Sequence, residues 1–183
     1  MTKTSPAERR KLVLEPVVAG CGEIAQWSAA LIECRSRTLK SIARISQAEL
    51  DWEPPTNSNT IGALLYHIAL IEADWLYTEI LQHRTTADLG SLFPAEDRES
   101  DQTLTKIRGG TGNQHERRLA LVRQELLRAL STMTLAEFRR VRHMPDYDVT
   151  PEWVVLHLLQ HEAEHRGQII SLRGSADRSG DKH

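Results

Sequence analysis

Apolar residues return every three or four positions along four stretches of this chain, the period of a helix that buries one face. From about Val18 to Ile45 the repeat is Ile24, Trp27, Ala30, Leu31, Leu39 and Ile42, with Arg and Lys on the other side. From about Thr60 to Gln82 it is Ile61, Leu64, Leu65, Ile68, Ile71, Trp75 and Leu76. Leu119, Val122, Leu126, Leu127 and Leu130 predict a third helix over about Asn113 to Thr132, and a fourth runs from Pro151 to about Arg173.

The stretches between them carry breaker chemistry. Leu50 to Asn59 is rich in Pro and Asn and reads as a connector, with Asn59 or Thr60 as N-cap of the next helix. Arg84 to Gly112 is polar, contains Pro94, Gly109, Gly110 and Gly112, and reads as a long surface connection of the kind that shapes sites. Leu135 to Arg140 adds a short helical turn. Pro145 to Thr150 breaks the chain again, and Thr150-Pro151-Glu152 has the order of an N-cap, a first-turn proline and an acidic first turn. Gly174 is the expected stop. No strand pair is convincing. The prediction is an all-α four-helix bundle over residues 16–175, with a long connection between helices 2 and 3. An N-terminal extension covers residues 1–15 and a flexible polar tail residues 176–183.

The chain has 183 residues, 40% hydrophobic and 26% charged, which suits one soluble domain with a real core. A formal net charge of -2 supplies no basic footprint for nucleic acid. No stretch approaches the roughly 20 apolar residues a membrane span needs, and Glu15 and Pro16 break any signal-peptide core. Neither nucleic acid nor membrane is expected as a partner, and the expected location is cytoplasmic. Cys21 and Cys34, thirteen residues apart on one expected helix and so about 20 Å apart along its axis, lie beyond disulfide reach and read as reduced thiols.

Candidate chemistry lies in the histidines. His157, His161 and His165 fall on one stripe of the fourth helix. Residues four apart lie one turn up the same face, roughly 5 to 6 Å between Cβ atoms, whereas His157 and His165 are about 12 Å apart along the axis. One ion can therefore take only an adjacent pair, His157 with His161 or His161 with His165. The plain alternative is a solvated pair beside Glu162, Glu164 and Arg166. His67 shares a face with Ala63, Leu64, Leu70 and Ile71, so it points inward, where a histidine is more often satisfied by an ordinary hydrogen bond than by a metal. His83, His115, His143 and His183 lie at helix ends or in polar segments and are expected in solvent. There is no His-Glu-x-x-His, no phosphate loop at Gly109 to Gly112, and no cysteine knuckle.

Two motifs resemble the DinB-like metalloprotein family, whose wider superfamily includes bacillithiol- and mycothiol-dependent S-transferases and isomerases. The first is Thr60-Ile-Gly-Ala-Leu-Leu-Tyr-His67-Ile-Ala-Leu-Ile-Glu72-Ala-Asp-Trp75, and the second is His157-Leu-Leu-Gln-His161-Glu-Ala-Glu-His165-Arg-Gly-Gln168. Leu50-Asp-Trp52-Glu-Pro-Pro55 is similar to the family's lead-in. The resemblance implies a four-helix bundle that pairs as a homodimer. It assigns the metal ligands to His67, His161 and His165, and leaves His157 beside them.

Three neutral imidazoles leave a divalent ion an open position. Zinc or nickel is the expected ion, and the resemblance adds a low-molecular-weight thiol as cosubstrate. A bound thiol would ionise to a nucleophile for S-transfer. The alternatives are a hydrolase working through bound water and a noncatalytic bundle, structural or stress-related, in which Asp74 or a carboxylate from the 84–112 connection closes the coordination sphere. No catalytic residue beyond the ligands is assigned, and the substrate is not legible.

Overall fold

A computed structural model describes residues 22–55, 59–83 and 91–180. The expected N-terminal extension, the helix start near Val18, Cys21 and His183 lie outside the described residues. Helix α1 is Gly22–Ser41, α2 Gln47–Asp51, α3 Ile61–Trp75, α4 Gly112–Ser131, α5 Leu135–Phe138 and α6 Pro151–Gly180. A π-helical turn, Leu76–Ile80, continues α3. The two-residue strands β1 (Arg142–His143) and β2 (Asp148–Val149) pair antiparallel. The fold is all-α in character. Its four long helices pack in a ring: α1 against α6 and α4, and α3 against the same two.

Several expected boundaries hold because their caps form. Thr60 Oγ1 accepts from the Ala63 amide at 3.1 Å, and Thr150 Oγ1 from that of Trp153 at 3.1 Å. Others shift. α2 takes the first two residues of the expected connector, Leu50 and Asp51, and is started by a reciprocal cap in which Ser46 and Glu49 bond each other's backbone amides. Arg44 at φ 58° separates α2 from α1. Gly174 does not stop the last helix, which continues to Gly180: among the described glycines only Gly109 has positive φ, the conformation a glycine stop supplies. The Pro145 break holds the β1–β2 hairpin, too short to show an alternating pattern.

The core forms two apolar clusters. One gathers Ile24, Leu31, Leu76, Val122, Leu126 and Leu158, the other Ile42, Leu50, Leu64, Ile68, Leu119 and Ile169. Each long helix also buries one charged residue beside these clusters: Arg35 on α1, Glu72 on α3, Arg123 on α4 and Glu162 on α6. These four side chains are at most 7% exposed. Arg35 reaches Glu72 at 2.5 Å and Glu162 at 2.8 Å; Arg123 reaches the same carboxylates at 2.6 and 2.8 Å. The remaining donors close on backbone carbonyls of neighbouring helices, Arg35 on Leu119 and Arg123 on Leu31. Burial alone would raise the Glu162 pKa, but the two guanidinium groups outweigh it and hold the carboxyl below its usual range. Glu162, which the alternative of a solvated histidine pair set among solvated charges, is instead part of this buried quartet.

His115 also departs from expectation. It is fully buried at the start of α4, against Gly110 and Gly62, where a Cβ would stand 2.8 and 3.5 Å from its Nε2. Its ring nitrogens find no hydrogen-bond partner of good geometry among the described residues. Burial pushes its pKa down to about 4. Cys34 is a buried free thiol whose pKa burial raises. Among the described residues no helix is long and apolar enough to cross a membrane.

Replacing Glu72 by Ala leaves two buried guanidinium groups undercompensated and should cost about 3 to 5 kcal/mol in urea unfolding. His115 is neutral in the fold and binds a proton more readily when unfolded, so its contribution is complete above about pH 6.5 and is lost as the pH falls toward about 4. Unfolding free energies of the metal-free protein across that window should fall less steeply for His115→Phe than for the wild type.

Candidate metal centre

The site forms where α3 faces α6 beside the second apolar cluster. α3 is buried on nearly all sides, as a central helix is, so His67 reaches the interior at 4% exposure. α6 presents His161 and His165 one turn apart, both half-buried. The expected trio comes together: His161 Nε2 lies 3.0 Å from His67 Nε2 and 3.1 Å from His165 Nε2. One ligand atom from each of the three lies within 4.8 Å of the others.

The outer ring nitrogens explain how the inner ones are aimed. His67 Nδ1 bonds Asp97 Oδ1 at 2.5 Å, and His165 Nδ1 bonds Gln168 Oε1 at 3.0 Å. With neutral rings, both bonds need a proton on Nδ1, which leaves the Nε2 lone pairs of His67 and His165 facing the same centre. Facing lone pairs repel unless a proton or cation lies between them. An extra proton is disfavoured here: burial lowers the His67 pKa despite Asp97, and burial followed by His165 and His67 pushes His161 down to about 3, so the rings are neutral and the one Nε2–H that His161 can carry serves only one of its two neighbours. A tetrahedral ion with bonds of about 2.0 to 2.1 Å would hold its nitrogens about 3.3 Å apart, close to the spacings found. The donor set fits a divalent ion.

His157 does not join this group. It stacks on Trp153 at 5.2 Å between ring centroids and meets Trp75 tilted at 4.6 Å, with His161 at 5.8 Å. It is thus part of an aromatic wall beside the trio, and burial lowers its pKa. His143 is 79% exposed and bonds Asp148, and His83 is exposed against Tyr77. Asp74 lies outside the trio and takes a bond from Thr78 at 3.3 Å. The 84–112 connection does send a carboxylate, but Asp97 goes to the outer nitrogen of His67 and leaves the inner face open.

That open face meets a cavity of about 690 Å³, within the usual range for small-molecule sites. Arg98, Gln102, Thr103, Gln168 and Ser171 line its polar side. Sequence reasoning missed Asp97 and Arg98, which sit in a connection without periodicity. Gln168 was visible in principle, since it lies three residues after His165 on one helix.

Among curated proteins none matches the chain. The model of the DinB superfamily matches residues 30–169. That span contains His67, Asp97, His161, His165 and all four charges of the buried quartet. A match over most of the chain, enclosing both histidine motifs and the elements that position them, places the protein in the DinB superfamily.

Proposed function

We propose that the protein is a metal-dependent enzyme in which His67, His161 and His165 hold zinc or nickel, and that it transfers the sulfur of a low-molecular-weight thiol to an electrophilic acceptor. The convergence of three Nε2 atoms on one centre carries the reading. A divalent ion there would lower the pKa of a thiol bound at its open position and supply a thiolate nucleophile at neutral pH.

The chain's own groups prepare that position. Asp97 and Gln168 fix the ring orientations of His67 and His165, as partners of ligating histidines commonly do. Burial keeps His67 and His161 neutral, and the cavity gives a small molecule access. In the transfer, a sulfur–carbon bond forms as the acceptor's leaving group departs with its electron pair, and the thiol proton passes to solvent. A purely bracing ion would favour a fourth protein ligand, and among the described residues the group holds three histidines. A homodimer, implied by the family resemblance, accompanies this reading.

His161→Ala should abolish stoichiometric zinc or nickel binding measured by elemental analysis, whereas His143→Ala should retain it; equal retention would place the site elsewhere. Asp97→Ala should weaken zinc affinity by about 10- to 100-fold in a chelator competition. The metal-loaded protein should turn over at least one of bacillithiol, mycothiol, glutathione and coenzyme A with an electrophilic acceptor. Absence of turnover with every pair overturns the transferase reading.

A further inference from the structure

The cavity wall facing the trio is a preformed hairpin with one cation on it. Thr105 donates its amide to the Asp97 carbonyl at 3.0 Å, Glu99 donates to Thr103 at 2.9 Å, and Gln102 donates back to Glu99 at 2.9 Å. Gln102 turns the chain at φ 67°, a left-handed conformation that a non-glycine residue adopts only where its surroundings hold it. Asp101 braces the tip by accepting from the Thr103 amide and hydroxyl at 3.0 and 2.6 Å. Leu104, 7% exposed, anchors the returning strand in the core.

Arg98 stands on this frame and lines the cavity. Its Nη1 donates to the Gln102 carbonyl at 2.7 Å, and its Nε lies 3.4 Å from Asp97 Oδ2. Neither contact uses Nη2. The guanidinium is thereby held in place before any ligand arrives, and with five N–H donors it has capacity left. Around it, Gln102, Thr103, Gln168 and Ser171 offer neutral polar groups, and none of the described lining residues is acidic. Asp97 already serves His67 and Arg98. With a divalent ion at the trio, the ion and Arg98 outweigh Asp97, the carboxylate that touches His67 and Arg98, and since Glu99 and Asp101 do not line the cavity, it favours an anion.

We propose that the cavity takes a small ligand bearing a carboxylate, which Arg98 receives through a charge-assisted hydrogen bond while the other end of the ligand reaches the three histidines. This rests on the metal reading above, because without the ion Asp97 balances Arg98. It narrows the thiol to one carrying a carboxylate, and assigns Arg98 to specificity.

Calorimetric titration of the zinc-loaded protein with mercaptosuccinate, succinate and 2-mercaptoethanol tests it in the wild type, Arg98→Ala and Arg98→Lys. The wild type should bind mercaptosuccinate at least about tenfold more tightly than 2-mercaptoethanol, the scale of one charge-assisted hydrogen bond. That ratio should fall toward one in Arg98→Ala and recover in part in Arg98→Lys. Equal mercaptosuccinate affinity in the wild type and Arg98→Ala overturns the proposal, as does a wild type that prefers neither dicarboxylate. If neither thiol binds through sulfur while succinate still binds about tenfold more weakly to Arg98→Ala, the carboxylate site stands and the thiol reading falls.

Discussion

Two arginines and two glutamates, one from each long helix, meet at the middle of the bundle, and the placement of the other elements depends on that meeting. Apolar packing is tolerant: a leucine stripe still buries itself after a helix slides or turns a little. A buried charge is not tolerant, because each misplaced partner leaves an ion without water and without compensation. Arg35 and Arg123 each bridge Glu72 and Glu162, and each also reaches a carbonyl on another helix. The quartet therefore sets the height and rotation of all four helices at once.

The histidine trio inherits this precision. Glu162 follows His161 directly, and Glu72 lies five residues beyond His67, so the rotations that seat the two carboxylates also present the imidazoles. The helices set the ring positions, while Asp97 and Gln168 set ring orientation and tautomer. Three nitrogens spaced for one ion thus arise from two separate constraints, one deep in the bundle and one at its edge.

The long helices and the His161–His165 pair were legible because each leaves a local signature: periodic apolar residues, a threonine cap, histidines four apart; His67 joined the pair only through the family resemblance. The quartet was not, because its members look like ordinary surface charges within their own helices and their partners lie 37 to 127 residues away in the chain. His115 was misread in part for the same reason: of the two glycines that admit it, Gly110 lies just ahead of its helix but Gly62 belongs to a distant one. Gly174 misled in the opposite direction, since glycine permits a helix to end but does not oblige it to when the backbone bonds continue. Asp97 and Arg98 sit in a stretch whose hairpin has no alternation long enough to detect.

Arg98, Asp97 and His67 stand in line, guanidinium, carboxylate and imidazole: one carboxylate oxygen bonds His67, and the other pairs more loosely with Arg98 at 3.4 Å. Anything that draws the guanidinium away releases electron density on Asp97 toward the imidazole, and anything that pulls on the imidazole is felt at the guanidinium. Occupancy at the two ends then shares a coupling free energy, which thermodynamics requires to be reciprocal. Under that linkage the hairpin is more than a wall: with an ion at the trio as proposed, a ligand on Arg98 would change how tightly His67 holds it.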